Sequence, residues 1–141
     1  MQAPLFSSAD ETEAAFYDAL SRADIEALMA LWAEDEEIVC IHPGSARLVG
    51  HATIRASFEA IFERGSVNIQ PVQLHATKNM MTAVHNIIEE VQRTSDMTQD
   101  IHILCTNIYT KTALGWRLTL HHASVAPGRA PNELFRASML H

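Results

Sequence analysis

From residue 9 to residue 65 the apolar positions recur mostly at helical spacing, and beyond that they recur at strand spacing. Ser8-Ala9-Asp10-Glu11 is a capping-box pattern that sets acids at the positive end of a helix dipole; Phe16, Leu20 and Ala23 then share one face. Asp24 caps a second helix whose apolar stripe is Ile25, Leu28, Leu31 and Trp32. Residues 37–42 read as a strand, because Ile38, Val39, Cys40 and Ile41 form the continuous apolar run of a segment buried on both faces. Pro43-Gly44 stops it. After Gly50, the positions Ile54, Phe58, Ile61 and Phe62 define a third helix that ends near Gly65. Strands follow at about 66–75, 80–92, 100–111 and 116–125. Pro71 has no N–H to give a ladder, so the first of these belongs at an edge or a bulge. Segments 93–99 and 112–115 are short and polar, as in hairpins, which predicts antiparallel pairing.

Helices that are short and amphipathic must pack against something larger. Three of them followed by long strands predict an α+β domain in which a curved sheet wraps the helices and leaves a pocket. Strand 100–111 has apolar residues on both faces: Ile101, Ile103, Cys105 and Tyr109 on one, Leu104 and Ile108 on the other. The helices can cover only the first face. A homodimer joined through the sheet is the simplest cover for the second.

Composition narrows the partners. The chain of 141 residues is 48% hydrophobic and 19% charged, which fits one globular domain rather than a disordered chain. Its net charge of −7 argues against nucleic acid, whose phosphates need clustered Lys and Arg. The acidic run Glu34-Asp35-Glu36-Glu37 reads as a solvated helix end. Cys40 and Cys105, each inside an apolar run, are expected as two buried thiols. No basic region followed by an apolar run opens the chain, and no segment approaches the ~20 apolar residues of a membrane span. A cytoplasmic protein without membrane partners is expected.

Ala23-Asp24-Ile25-Glu26-Ala27-Leu28, Trp32-Ala33-Glu34-Asp35, Cys40-Ile41-His42-Pro43-Gly44 and Leu48-Val49-Gly50 resemble the NTF2-like superfamily, which includes SnoaL-like proteins and ketosteroid isomerases. Trp116, His122, Ser124, Ala126 and Pro127 are similar to the final strand of the association domain of calcium/calmodulin-dependent kinase II. The resemblance spans roughly residues 10–127. It implies the cystatin-like cone, three N-terminal helices held in a strongly curved, mostly antiparallel sheet with a pocket at the wide end. The domain is expected over residues 1–127, with a tail at 128–141 that covers the pocket or a partner subunit.

The same resemblance directs attention to particular side chains. His42 ends the first strand where ketosteroid isomerases carry a catalytic aspartate, and a histidine there can accept and return a proton near neutral pH. The structural alternative is a bond from His42 to a backbone carbonyl. Asn107 falls where the isomerases place an oxyanion-hole aspartic acid, and its amide can donate without a pKa shift; the alternative is an asparagine that bonds its neighbours. The isomerase's oxyanion tyrosine falls on Phe16, which has no hydroxyl, while Tyr17 points about 100° away around the helix. Ketosteroid isomerisation itself is therefore not expected. Tyr17, Trp32 and His122 are the expected ligand contacts, His122 because it shares a strand face with Trp116 and so points into the cone, with His121 facing outward. Glu89 and Glu90 stand where the kinase association domain carries arginines, so the ligand is expected to be small, largely apolar, and neutral or cationic rather than anionic. His42, His85 and His122 come from different strands without HxH or HExxH spacing, so no metal is expected, and no cofactor motif appears. Two readings follow: a SnoaL-like small-molecule protein acting as a cofactor-independent isomerase or hydratase/dehydratase through His42, or a non-catalytic binding and oligomerisation module like the kinase association domain.

Overall fold

The computed structural model describes residues 5–91, 101–128 and 130. Apart from Gly128 and Ala130, the expected tail lies outside these residues, as does the hairpin connection expected at 93–99.

Helix α1 (Ala9–Arg22) starts where Ser8 accepts a hydrogen bond from the Glu11 N–H at 3.2 Å, while the Glu11 carboxylate reaches back to the Ser7 N–H at 2.9 Å. It ends at Ala23 in the left-handed conformation, with φ of 51°. Asp24 caps the short helix α2 (Ile25–Met29) through the Ala27 N–H. The apolar stripe predicted a longer second helix. Instead, Leu31 and Ala33 hydrogen-bond to Leu118, so tertiary pairing draws the chain out of the helix and Trp32 forms a parallel bridge to Leu118. Strand β1 (Val39–Ile41) and the two-residue strand β2 (Leu48–Val49) lead into α3 (His51–Glu63).

Strands β3 (Ile69–Lys78), β4 (Thr82–Val91), β5 (Ile101–Thr112) and β6 (Gly115–Pro127) complete a six-stranded sheet in the order β2-β1-β6-β5-β4-β3. All pairs are antiparallel except β1 with β6. Pro71 sits on the edge strand β3, just before a register shift between Val72 and His75. At the β5–β6 turn Gly115 has φ of 94°, and a Cβ there would lie 2.8 Å from the Phe6 carbonyl oxygen, so only glycine fits. The core lies between the helices and the inner face of the sheet: Phe16, Leu20, Leu28, Trp32, Ile54 and Phe58 pack against Ile87, Cys105, Tyr109 and Leu118. Both cysteines are buried free thiols.

One irregularity reverses an expected orientation. The β5–β6 register passes from Tyr109↔Leu118 to Ile108↔Leu120, so Thr119 is an extra residue in β6 and its hydroxyl bonds the Ile108 carbonyl. A bulge of one residue flips every side chain beyond it. Trp116 and Leu118 face the core, and past Thr119 the inward positions become His121 and Ala123. His122 is exposed on the outer face. The strict alternation that placed His122 inside and His121 outside is thus overturned.

Candidate functional site

The inner face of the sheet carries a buried polar cluster opposite α1. Glu13 and Tyr17 stand one turn apart on α1, on the face that also buries Phe16 and Leu20. His85 and Glu89 on β4, Cys105, Asn107 and Tyr109 on β5, and His121 on β6 alternate onto the same side. The register sets Asn107 between His85 and His121.

Asn107 joins two halves. Its amide nitrogen donates to the Tyr17 hydroxyl at 3.1 Å and lies 3.4 Å from Glu13 Oε2; its carbonyl oxygen is 2.6 Å from His121 Nδ1. In one half, Glu13 Oε2 also accepts from the Tyr109 hydroxyl at 2.7 Å and is 2.9 Å from His85 Nδ1. In the other, the Tyr17 hydroxyl donates to Glu89 Oε2 at 2.6 Å, and Cys105 Sγ is 3.4 Å from His121 Nδ1. Burial pushes the Glu89 carboxyl above its usual range, against the bond from Tyr17, which favours the charged form. The Tyr17 and Tyr109 phenols are pushed up by burial as well, so both stay protonated donors. Burial, with His42 and His122 nearby, pushes the His121 imidazole down to about 3 and keeps it neutral.

The sequence-predicted residues divide accordingly. Tyr17 and Asn107 meet in the cluster, but the amide and carbonyl of Asn107 are both taken up by protein groups. His42 is half-buried, with Nε2 3.0 Å from the Ser57 hydroxyl and its ring edge-on to Phe58 at 4.9 Å. Desolvation lowers its pKa, so it is neutral at pH 7. Trp32 is fully buried and its indole N–H has no partner. His122 stands outside. Sequence reasoning missed Glu13, His85, Tyr109 and His121 as members of the cluster. The signal for Glu13 was present, since a glutamate at position i with Tyr17 at i+4 borders the apolar stripe; the signal for His121 was hidden by the bulge.

Tyr17 connects this interior to the surface. It lines a cleft of about 570 Å³ between α1 and the start of β3, beside Ala14, Ser21, Ile69, Pro71 and Glu90. For metal binding, Glu89, Cys105 and His121 offer ligand atoms within 4.8 Å of one another. A shared ion needs ligand atoms about 3.5 Å apart, and Glu89 and His121 are already held by Tyr17 and Asn107, so the cluster as it stands is a hydrogen-bonded network rather than a metal site.

A SnoaL-like domain model matches residues 10–127. A solved protein from Thiobacillus denitrificans, described provisionally as a calcium/calmodulin-dependent protein kinase type II association domain, is 32% identical; the match covers 87% of this chain and 98% of that one, with a TM-score of 0.79. A second, from Streptomyces avermitilis and described provisionally as a dehydratase of the NTF2-like family, is 27% identical over 86% of this chain and 94% of that one, with a TM-score of 0.72. A Nostoc punctiforme protein with a cystatin-like fold, 17% identical, matches over 89% of this chain and 98% of its own at a TM-score of 0.70, a likeness of fold alone. No functionally curated protein matches the chain. No helix among the described residues is long and apolar enough to cross a membrane. With its SnoaL-like domain and its cone of helices in a curved sheet, the chain belongs to the SnoaL-like family of the NTF2-like superfamily.

Proposed function

We propose that this protein binds a small, largely apolar molecule bearing a carbonyl and moves a proton on it without a cofactor, as an isomerase or a dehydratase does. The observation that carries the reading is Tyr17, which borders the cleft of about 570 Å³ while its hydroxyl is 2.6 Å from the Glu89 carboxyl, whose pKa burial raises. In this reading the ligand oxygen takes the place of Glu89 as acceptor of the Tyr17 proton, a donor suited to a developing enolate oxygen in a dry site. His42, neutral at pH 7 and placed against Ser57 and Phe58 rather than on the cleft, is the proton acceptor, which requires the ligand to extend from the cleft to its ring. It takes a proton from the carbon next to the carbonyl. Returning it to another carbon gives isomerisation; delivering it to a neighbouring hydroxyl, which then leaves as water, gives dehydration. The dehydratase description of the 27% identical relative is of the same reaction class.

A thermal-shift and turnover screen against small enones and β-hydroxy ketones tests this. Tyr17→Phe is expected to weaken binding of any hit by about tenfold, the loss of one charge-stabilising hydrogen bond. His42→Ala and His42→Asn should both abolish turnover and leave binding intact. If His42→Asn retains turnover, the base assignment fails.

A second reading has its own support. Leu104, on the central strand β5, is 41% exposed on the outer face of the sheet, and the 32% identical relative is described as an association domain. A homodimer through that face covers it. Light scattering at micromolar concentration should give twice the 15.7 kDa chain mass. Leu104→Asp should weaken association about a hundredfold or more, because a charge buried at a dry interface costs several kcal/mol, yet leave the monomer folded. A monomeric wild type removes this reading.

A further inference from the structure

A different cleft, away from Tyr17, contains charges of both signs that do not pair with each other. It encloses about 350 Å³ beside the β5–β6 turn. Arg117 lines it and is itself 5% exposed. The guanidinium gives Nη1 to the carbonyls of Ala30, at 2.6 Å, and Trp32, at 3.4 Å. Ala30 is the C-cap of α2, so this contact serves the helix end. It uses one nitrogen of three. Nε is buried without a partner, and among the described residues no carboxylate comes within ion-pair distance of Arg117.

A buried cation held only by neutral carbonyls is costly, and an anion beside it offsets that cost. Glu34 and Asp35 also line the cleft, both exposed. Neither takes part in an ion pair among the described residues. A simple carboxylate entering here gains from Arg117 but is repelled by these two. A simple amine meets the reverse. A molecule carrying both charges matches both ends, and the 40% exposed Leu114 beside them offers an apolar surface for a short aliphatic group.

We propose that this cleft binds a small zwitterion of the α-amino acid type, its carboxylate toward Arg117 and its ammonium toward Glu34 and Asp35. The site is on the opposite face of β5 from Tyr109 and shares no residue with the Tyr17–Glu89 cluster, so it stands or falls independently of the reaction proposed above.

Isothermal titration of the full chain at low ionic strength with L-alanine, propionate and n-propylamine tests it. L-alanine should bind saturably, and the two single-charge analogues about tenfold more weakly or less. Arg117→Gln should abolish L-alanine binding. Because Arg117 also holds the end of α2, that variant can fail to fold, and the exposed pair Glu34→Gln/Asp35→Asn supplies the second arm. This double variant should keep the wild-type melting temperature, lose L-alanine affinity and bind propionate better than the wild type does. Three results overturn the proposal: no saturable binding of L-alanine, equal binding of L-alanine and either analogue, or a lowered melting temperature in the double variant. The last would mean that these carboxylates are Arg117's own partners in solution.

Discussion

Acidification from pH 7 to pH 4 should remove about 3 kcal/mol of stability through His121 alone. In the folded chain its imidazole is pushed down to about 3 by burial and by neighbouring His42 and His122. In the unfolded chain it titrates near the ordinary value of about 6.5. The unfolded state therefore takes up the proton first as pH falls. The contribution is complete above about 6.5 and is lost progressively as pH drops toward 3. Glu89 acts in the opposite sense, because its carboxyl is pushed up by burial. Its contribution is complete below the ordinary carboxylate range and declines as pH rises through the folded value. The two partly cancel in the wild type, and substitution separates them. His121→Gln retains an N–H for the Asn107 carbonyl but does not titrate, so chemical denaturation from pH 4 to 7 should show a flatter profile than the wild type. Glu89→Gln should show the reverse, with an acid-side loss steeper than that of the wild type. Parallel curves for wild type and His121→Gln would mean that water reaches the imidazole in solution.

Glu13→Ala should cost about 3–5 kcal/mol in urea denaturation, a large share of the stability of a domain this size. Three groups converge on Glu13 Oε2, namely the Tyr109 hydroxyl, His85 Nδ1 and the Asn107 amide, and all four residues are buried. Deleting the acceptor leaves their polar groups without a partner in a dry interior, which costs more than the bonds themselves contribute. The cost should therefore be strongly non-additive. In Glu13→Ala/Tyr109→Phe one orphaned hydroxyl is gone, and the double variant should be less destabilised than the sum of the singles by about 1–2 kcal/mol. Additive losses would indicate that a water replaces the carboxylate.

The fold was largely legible because each element carries its own local signal. Ser8 and Asp24 announced two helix starts with side chains that accept the first free N–H groups, and the change of apolar period after Gly65 announced the strands. Pro71 marked an edge strand by the donor it lacks. The candidate site was legible only in part. Tyr17 and Asn107 were singled out and do meet, across 90 positions of sequence. His42 was singled out too, and stands against Ser57 and Phe58 outside the hydrogen-bonded cluster.

Alternation and capping, read from the sequence alone, determined the helices, the long strands and the curved-sheet architecture, since these depend on residues a few positions apart. The tertiary structure alone decided three things. The extra residue at Thr119 reversed the facing of His121 and His122, because a bulge has no fixed sequence signature and shifts the pleat by one. Pairing with Leu118 ended α2 early, since the Leu31 carbonyl and the Ala33 N–H bond Leu118 on β6 instead of continuing the helix. And the convergence of Glu13, His85, Asn107 and Tyr109 arose from the register of β4 on β5 beneath α1, a long-range coincidence that brings polar groups together where none can face water.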